Sequence, residues 1–385
     1  MEATATPRTQ EEVKASTGKV TVAEVTLRKF ELSDVDAMMA WASDPQVAAP
    51  CRWDAYESTE PLLAFIRDVV LPHPWFRAIC LESGRPVGAV SVSPTGDPCR
   101  SELGYVLARA HWGRGVATAA VKRTVATVFA EVQGLERVEA LVDVANPASQ
   151  RVLEKAGFTR EAVLRKYAAV KGVVRDTVMF SFIDTDPLAS SEVRSQPQTS
   201  DHDHRNLPLT PAAPMAEEVT LRRFELSDMD AMMAWASDPQ VAAFCRWEPY
   251  ESTEPLLAFL RDSVLPHPWY RAICVSGAVV GAVSVSPTPE RCRGELGYVL
   301  ARAHWGKGVA TAAVRRALRD VFADLEPQGL RRVEALVDVG NPASQRVAEK
   351  AGFRREGVLR RHYWHKGRAR DMVMYSFLSS DLFPE

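Results

Sequence analysis

No stretch of the chain reaches the ~18 consecutive apolar residues of a spanning helix. The first 25 residues have no apolar centre of the kind that marks a signal peptide, and Glu2, Glu11 and Glu12 make them too acidic for a transit peptide. Charge of one sign is missing too. The formal net charge is -2, which gives no reason to expect a nucleic acid or a membrane surface as partner. Cysteine is scarce: Cys51, Cys80, Cys99, Cys245, Cys274 and Cys292 include no Cys-x-x-Cys pair, so neither a zinc site nor a disulfide framework is expected. They read as small apolar residues of a reducing compartment, and the expected location is cytoplasmic, with the nucleus also open.

What is present is a repeat. LSDVDAMMAWASDPQVAA from Leu32 returns as LSDMDAMMAWASDPQVAA from Leu226. ELGYVLARAHWG from Glu102 returns from Glu295, and NPASQRV from Asn146 returns from Asn341. The offset is 193 between Gly113 and Gly306 and 195 between Asn146 and Asn341, because the second copy has two extra residues near 325–329. A unit this long is a duplicated domain. The expected organisation is a disordered tail over 1–23, a domain over 24–185, a disordered linker over 186–214 and a second domain over 215–385. The linker is rich in Pro, Ser, Thr, Asp and His and has too few large apolar residues to fold.

Within one copy, periodicity and punctuation predict the order β-α-α-β-β-β-α-β-α-β-β. Ser33 and Asp34 offer helix caps, and Pro72 and Pro74 end the second helix. Ser83-Gly84 turns a hairpin, Gly113 to Gly115 opens a long helix, and Pro147 and Gly157 bracket another. The fold class is α/β, a mixed sheet with helices on both faces.

The sharpest local signal is the turn Trp112-Gly113-Arg114-Gly115-Val116-Ala117-Thr118 and its twin Trp305-Gly306-Lys307-Gly308-Val309-Ala310-Thr311. Glycine lets backbone approach a ligand closely, and free amides at a helix start attract a pyrophosphate. Arg114 and Lys307 add a cation there. A turn that merely joins strand to helix is the plainer alternative. No GK[ST] follows, so this is not a P-loop.

Together, ELGYVL, HWGRGVATAA and NPASQRVLEKAGF resemble the GNAT acetyltransferase superfamily, most closely its Rim-type branch, which acetylates N-termini of ribosomal proteins. The resemblance covers both copies in full motif order. It implies two tandem N-acetyltransferase domains with centrally splayed sheets and acetyl-CoA as co-substrate. Residues Gly113 to Thr118 and Gly306 to Thr311 would cradle the CoA pyrophosphate, and the pantetheine arm would lie between strands 102–108 and 138–142. An amide near Tyr105, Val106 or Leu107, and Tyr298, Val299 or Leu300 in the second copy, would face the thioester oxygen. Glu102 and Glu295 become the candidate bases, with a solvent-facing strand glutamate as the plain alternative. Asn146 and Asn341 would contact pantetheine, and Ser149 and Ser344 would lie near the thiolate; helix capping by Asn is the competing reading. His73 and His267 read as turn residues.

Only a neutral amine attacks a thioester. Near pH 7 roughly 10% of an α-amine but under about 0.1% of a lysine is neutral, which favours a protein or peptide N-terminus as acceptor. A small polyamine-like amine, or a copy that binds acetyl-CoA without turnover, remains an alternative. The copies differ most where Tyr167-Ala168-Ala169-Val170 faces His362-Tyr363-Trp364-His365, expected to be the loop between the last two strands beside the acceptor groove, and where Pro50 faces Phe244. Alike cofactor sites and unlike acceptor sites are therefore expected.

Overall fold

The computed structural model describes residue 21 and residues 24–188 and 219–384. Most of the expected tail and linker therefore lies outside the described residues. The first copy runs β1 (Thr26–Arg28), α1 (Val35–Ala42), α2 (Pro45–Ala48), α3 (Thr59–Phe65), β2 (Phe76–Cys80), β3 (Pro86–Pro94), β4 (Arg100–Leu107), α4 (Val116–Glu131), β5 (Arg137–Asp143), α5 (Pro147–Ala156), β6 (Thr159–Val170) and β7 (Val173–Ile183). The second repeats it as β8 (Val219–Arg222), α6 (Met229–Ala236), α7 (Pro239–Ala242), α8 (Thr253–Phe259), β9 (Tyr270–Val275), β10 (Ala278–Pro287), β11 (Arg293–Leu300), α9 (Val309–Leu325), β12 (Arg332–Asp338), α10 (Pro342–Lys350), β13 (Arg354–His365) and β14 (Arg368–Leu378).

Local chemistry explains the boundaries. Asp44 accepts from Gln46 N at 2.9 Å with Pro45 next to it, so an Asp-Pro step starts the short α2, which the periodicity did not announce. Asn146 caps α5 by accepting from Ser149 N at 3.1 Å, and Gly157 ends it at φ 95°. Helix α3 continues into a π-helical stretch, Ile66–Val70.

Each copy has a core on either face of its sheet. Helices α4 and α5 cover one, with Val121, Val125, Val128 and Leu153 against Val90, Val138 and Phe180. Helices α1 to α3 cover the other, with Trp41, Leu62 and Ile66 against Ala78 and Ala89. The strands of both copies form one fourteen-stranded sheet in the order β1-β2-β3-β4-β5-β7-β6-β13-β14-β12-β11-β10-β9-β8. Strand β4 pairs with β5, and β11 with β12, in parallel; the other neighbours are antiparallel.

The copies join at β6 and β13, where Gly357 faces Ala162. A Cβ on Gly357 would lie 2.2 Å from the Glu161 carbonyl oxygen, so only glycine allows this approach. Buried charge surrounds the junction: Arg137 bonds Glu161 at 2.8 Å and the Arg360 carbonyl at 2.6 Å, and Arg332 bonds Glu356 at 2.7 Å and the Arg165 carbonyl at 2.8 Å.

The expected last loop is instead strand. β6 and β7 are joined by Lys171 and Gly172 alone, at φ 50° and 78°, and β13 and β14 by Lys366 and Gly367, at φ 47° and 83°. Two successive positive φ values make the tight hairpin turn that matches strand twist, so residues 168–170 and 363–365 stay in the ladder. A bulge interrupts each strand just before, between Leu164 and Ala168 and between Leu359 and Tyr363.

Candidate functional site

Strands β4 and β5 pair at only three positions: Arg100 with Arg137, Ser101 with Val138 and Glu102 with Glu139. Beyond Glu102 they part, while β4 stays paired with β3 as far as Leu107 and β5 with β7 as far as Asp143. The facing inner edges of this fork therefore carry backbone groups that no strand satisfies. β11 and β12 fork in the same way after Glu295. Tyr105, Val106 and Leu107 lie on the open part of the first fork, and Tyr298, Val299 and Leu300 on that of the second.

The Tyr105 hydroxyl crosses to α5 and donates to the Ser149 carbonyl at 3.1 Å. That of Tyr298 is buried near Ser344 without a well-aligned partner. Burial pushes both phenols up to about 12, so both keep their protons. Asn146 and Asn341 spend their side-chain oxygens as helix caps, on Ser149 N and Ser344 N.

Past the fork, Trp112 donates its indole N–H to the Leu107 carbonyl at 2.8 Å, and Trp305 to that of Leu300 at 2.7 Å, which ties the turn to the end of the strand. Gly113 and Gly115 then take φ 73° and 89°, and Gly306 and Gly308 φ 73° and 82°. No side chain caps α4 or α9. The first helical bonds run from Ala119 N to the Gly115 carbonyl and from Ala312 N to that of Gly308. The amides of Val116, Ala117 and Thr118, and of Val309, Ala310 and Thr311, are thus the orphan donors of a helix start. A Cβ on Gly113, Gly306 or Gly308 would meet nothing within 4 Å, so these glycines are required for their backbone angles and not for lack of room. Arg114 and Lys307 stand in the same turns. A pyrophosphate fits this donor set.

At the closed end of the fork Glu102 is reached by solvent but ringed by protein; burial, then the charge of Glu139 beside it, raises its pKa. Glu295 is raised likewise by burial and Glu334. Glu139 itself is buried between Arg100 at 2.6 Å and Arg137 at 2.9 Å. Burial opposes its charge, but His362 against it, and then these guanidinium groups, hold it well below the usual carboxylate range. Arg100, Arg137 and Glu139, with Arg293, Arg332 and Glu334, were not picked out from sequence. The available signal was RVEALVD, identical in both copies, with charge inside an apolar strand.

The hairpin tips fold onto the segments after α2 and α7. Lys171 Nζ bonds the Ala48 carbonyl at 3.2 Å and Asp54 at 3.0 Å, and Lys366 bonds the Ala242 carbonyl and Glu248. In the second copy Arg246 lies 4.8 Å over the Tyr363 ring, where Ala168 stands in the first. His365 contacts the Cys245 carbonyl at 3.0 Å and His362 is buried, so neither histidine is a free groove residue. His73 and His267 are turn residues: His73 Nδ1 accepts from Trp75 N and His267 Nδ1 from Trp269 N.

The family profile described as acetyltransferase (GNAT) domain matches residues 24–159 and 218–354. The uncharacterized N-acetyltransferase p20 of Bacillus licheniformis is 31% identical over 172 residues, 43% of this chain and 95% of that protein. A Bacillus subtilis protein provisionally named ribosomal N-acetyltransferase YdaF is 28% identical across 43% of this chain and 93% of its own length. The spermidine N(1)-acetyltransferase of Vibrio cholerae is 26% identical across 43% of this chain and 96% of its own length.

Proposed function

Because the chain belongs to the GNAT acetyltransferase family, its domain present twice, we propose that each domain transfers acetyl from acetyl-CoA to an amine, and that the acceptor is a peptide or protein N-terminus. Acetyl-CoA supplies the activated acetyl group and a thiolate leaving group. The amides of residues 113–118 and 306–311 hold its pyrophosphate. Unpaired amides of the open β4 or β11 edge polarise the thioester carbonyl. Glu102, or Glu295, takes the proton that the attacking amine sheds as the N–C bond forms and the C–S bond breaks. Tyr105, its hydroxyl turned from the Ser149 carbonyl, or Tyr298, remains protonated and donates a hydrogen bond to the departing sulfur, with Ser149 or Ser344 beside it.

The observation that carries this reading is the fork with a raised-pKa carboxylate at its closed end and an uncapped glycine helix start beyond its open end. A carboxylate with a pKa nearer neutrality is a better-matched base. The choice of acceptor rests on charge. Arg246, with no carboxylate partner among the described residues, lies close enough to Glu295 to act on its ionisation, and an uncompensated cation there repels a polyamine, whereas Arg52 near Glu102 is paired with Glu290. The Vibrio spermidine enzyme is the reason to keep a polyamine as the second reading. Incubating the full chain with acetyl-CoA and either a proteome-derived peptide library or spermidine, with mass-spectrometric detection, separates them. Acetylated peptide N-termini are expected; acetylspermidine alone overturns the acceptor assignment.

A further inference from the structure

The bulges before the hairpin tips send side chains into the opposite domain, and the two exchanges are not equivalent. Tyr167 of the first domain puts its ring 4.0 Å from the Arg293 guanidinium, at the closed end of the second fork, where Arg293 pairs with Glu334 at 2.6 Å. His362 of the second domain brings Nδ1 to 3.3 Å from Glu139 Oε2, at the closed end of the first. Each intruder touches the Arg–Glu pair that neighbours a candidate base. The bulge is the device: its extra residues, 165–167 and 360–362, leave the ladder, and Lys166 and Arg361 adopt φ 49° and 45°.

A second exchange reaches the acceptor walls. Glu290, in the turn between β10 and β11 of the second domain, pairs with Arg52 at 2.9 Å and accepts from Ala169 N at 3.4 Å. Both partners belong to the first domain, one in the segment after α2 and the other in the last hairpin. One foreign carboxylate therefore ties together two walls beside the first site. In the second site the matching residue is Asp97 of the first domain, which accepts from Trp364 N at 2.8 Å. Among the described residues no carboxylate pairs with Arg246, which stacks on Tyr363 instead.

We infer that both transfer sites are composites of the two domains: Glu290 and His362 of the second domain complete the first site, and Asp97 and Tyr167 of the first complete the second. These four are positioning residues, and the acceptor preference of each site is thus written partly in the other copy. The inference rests on the proposed assignment of Glu102 and Glu295. Small, poorly restrained walls leave an amine outside its attacking pose, so Glu290 acts on acceptor KM, while His362, one residue pair from Glu102, acts on kcat.

The full chain is assayed with one site disabled at a time, Gly308→Pro for reading the first and Gly115→Pro for reading the second. Glu290→Gln is expected to raise the acceptor KM of the first site about two- to fivefold, the range for an ion pair whose arginine is exposed, with its kcat and CoA affinity kept. The second site, in whose own domain Glu290 lies, is expected not to change. His362→Tyr is expected to lower first-site kcat about tenfold and to spare the second. A merely structural role would move the second site or neither, and either result overturns the inference. Glu290 is a turn residue, so Glu290→Gln keeps the test decisive if His362→Tyr fails to fold. Glu102→Gln in the first-site background keeps the readings apart: unchanged kcat removes the base assignment, whereas the cross-domain KM effect alone decides the composite site.

Discussion

Gly308→Pro and Gly308→Ala separate the two things the turn supplies, backbone shape and amide donors. Gly308 sits at φ 82°, where an L-residue costs about 1–2 kcal/mol. An added Cβ meets nothing within 4 Å, so strain, not collision, is the effect of alanine. Relaxation of the free turn removes that strain and binding must restore it, so Gly308→Ala is expected to weaken CoA at the second site about five- to thirtyfold. Proline fixes φ near about -65° and removes an N–H. Adding about 1.5–3 kcal/mol for a lost hydrogen bond to a charged group brings the total to about 2.5–5 kcal/mol and the expected loss to roughly 10²- to 5 × 10³-fold. Titration calorimetry of the full chain reads this directly. The unaltered chain is expected to bind two equivalents of CoA, Gly308→Pro one equivalent with first-site affinity, and Gly115→Pro with Gly308→Pro none. Two equivalents of unchanged affinity in Gly308→Pro would show that the pyrophosphate lies elsewhere.

Glu102→Gln, read with the second site disabled, is expected to lower first-site kcat by about 10²-fold or more. Burial and Glu139 raise the Glu102 pKa, so activity should be lost as pH falls through a value above the ordinary glutamate range, and that acid limb should vanish in the variant's pH–rate profile. Arg137→Met leaves Glu139 and Glu161 buried without their shared cation, which is expected to cost about 3–5 kcal/mol in urea denaturation. Arg222 holds Asp228 in a two-pronged pair at 2.7 and 2.6 Å and lowers its pKa. A lowered carboxylate stabilises above its unfolded pKa and loses that contribution as pH falls. Asp228→Asn should therefore cost about 1 kcal/mol at pH 7, allowing for the half-exposed arginine, and match the unaltered chain in strong acid; a pH-independent gap in thermal unfolding would refute this. Gly357→Val drives a side chain into the Glu161 carbonyl and is expected to cost about 1–3 kcal/mol, with faster proteolysis between the domains than in the unaltered chain.

The sequence by itself determined the duplication, the order of most elements, and the two glycine turns with their motif context. These are local or repeated signals: turn residues act through their own backbone angles, and amphipathic periods through a neighbouring face. The placement of Glu102, Tyr105 and Gly113 to Thr118 was legible for the same reason, since they fall on one strand, one turn and one helix start. The short α2 and the Lys-Gly hairpin turns carry local signals too, Asp44-Pro45 and Lys171-Gly172, but weak ones, and the last hairpin was expected as a loop. The splay of β4 from β5 was expected by resemblance, but only the tertiary structure decided that they part after Glu102, because strand pairing joins residues far apart in sequence. The same holds for the burial of Arg137 and Arg332 between carboxylates and for the continuous sheet through Ala162 and Gly357. Nothing in a one-dimensional pattern says that Tyr167 lies against Arg293 or His362 against Glu139. Those contacts exist because a bulge in each copy leaves its own ladder and finds a partner about 130 to 220 positions away, a distance that propensity and periodicity do not span.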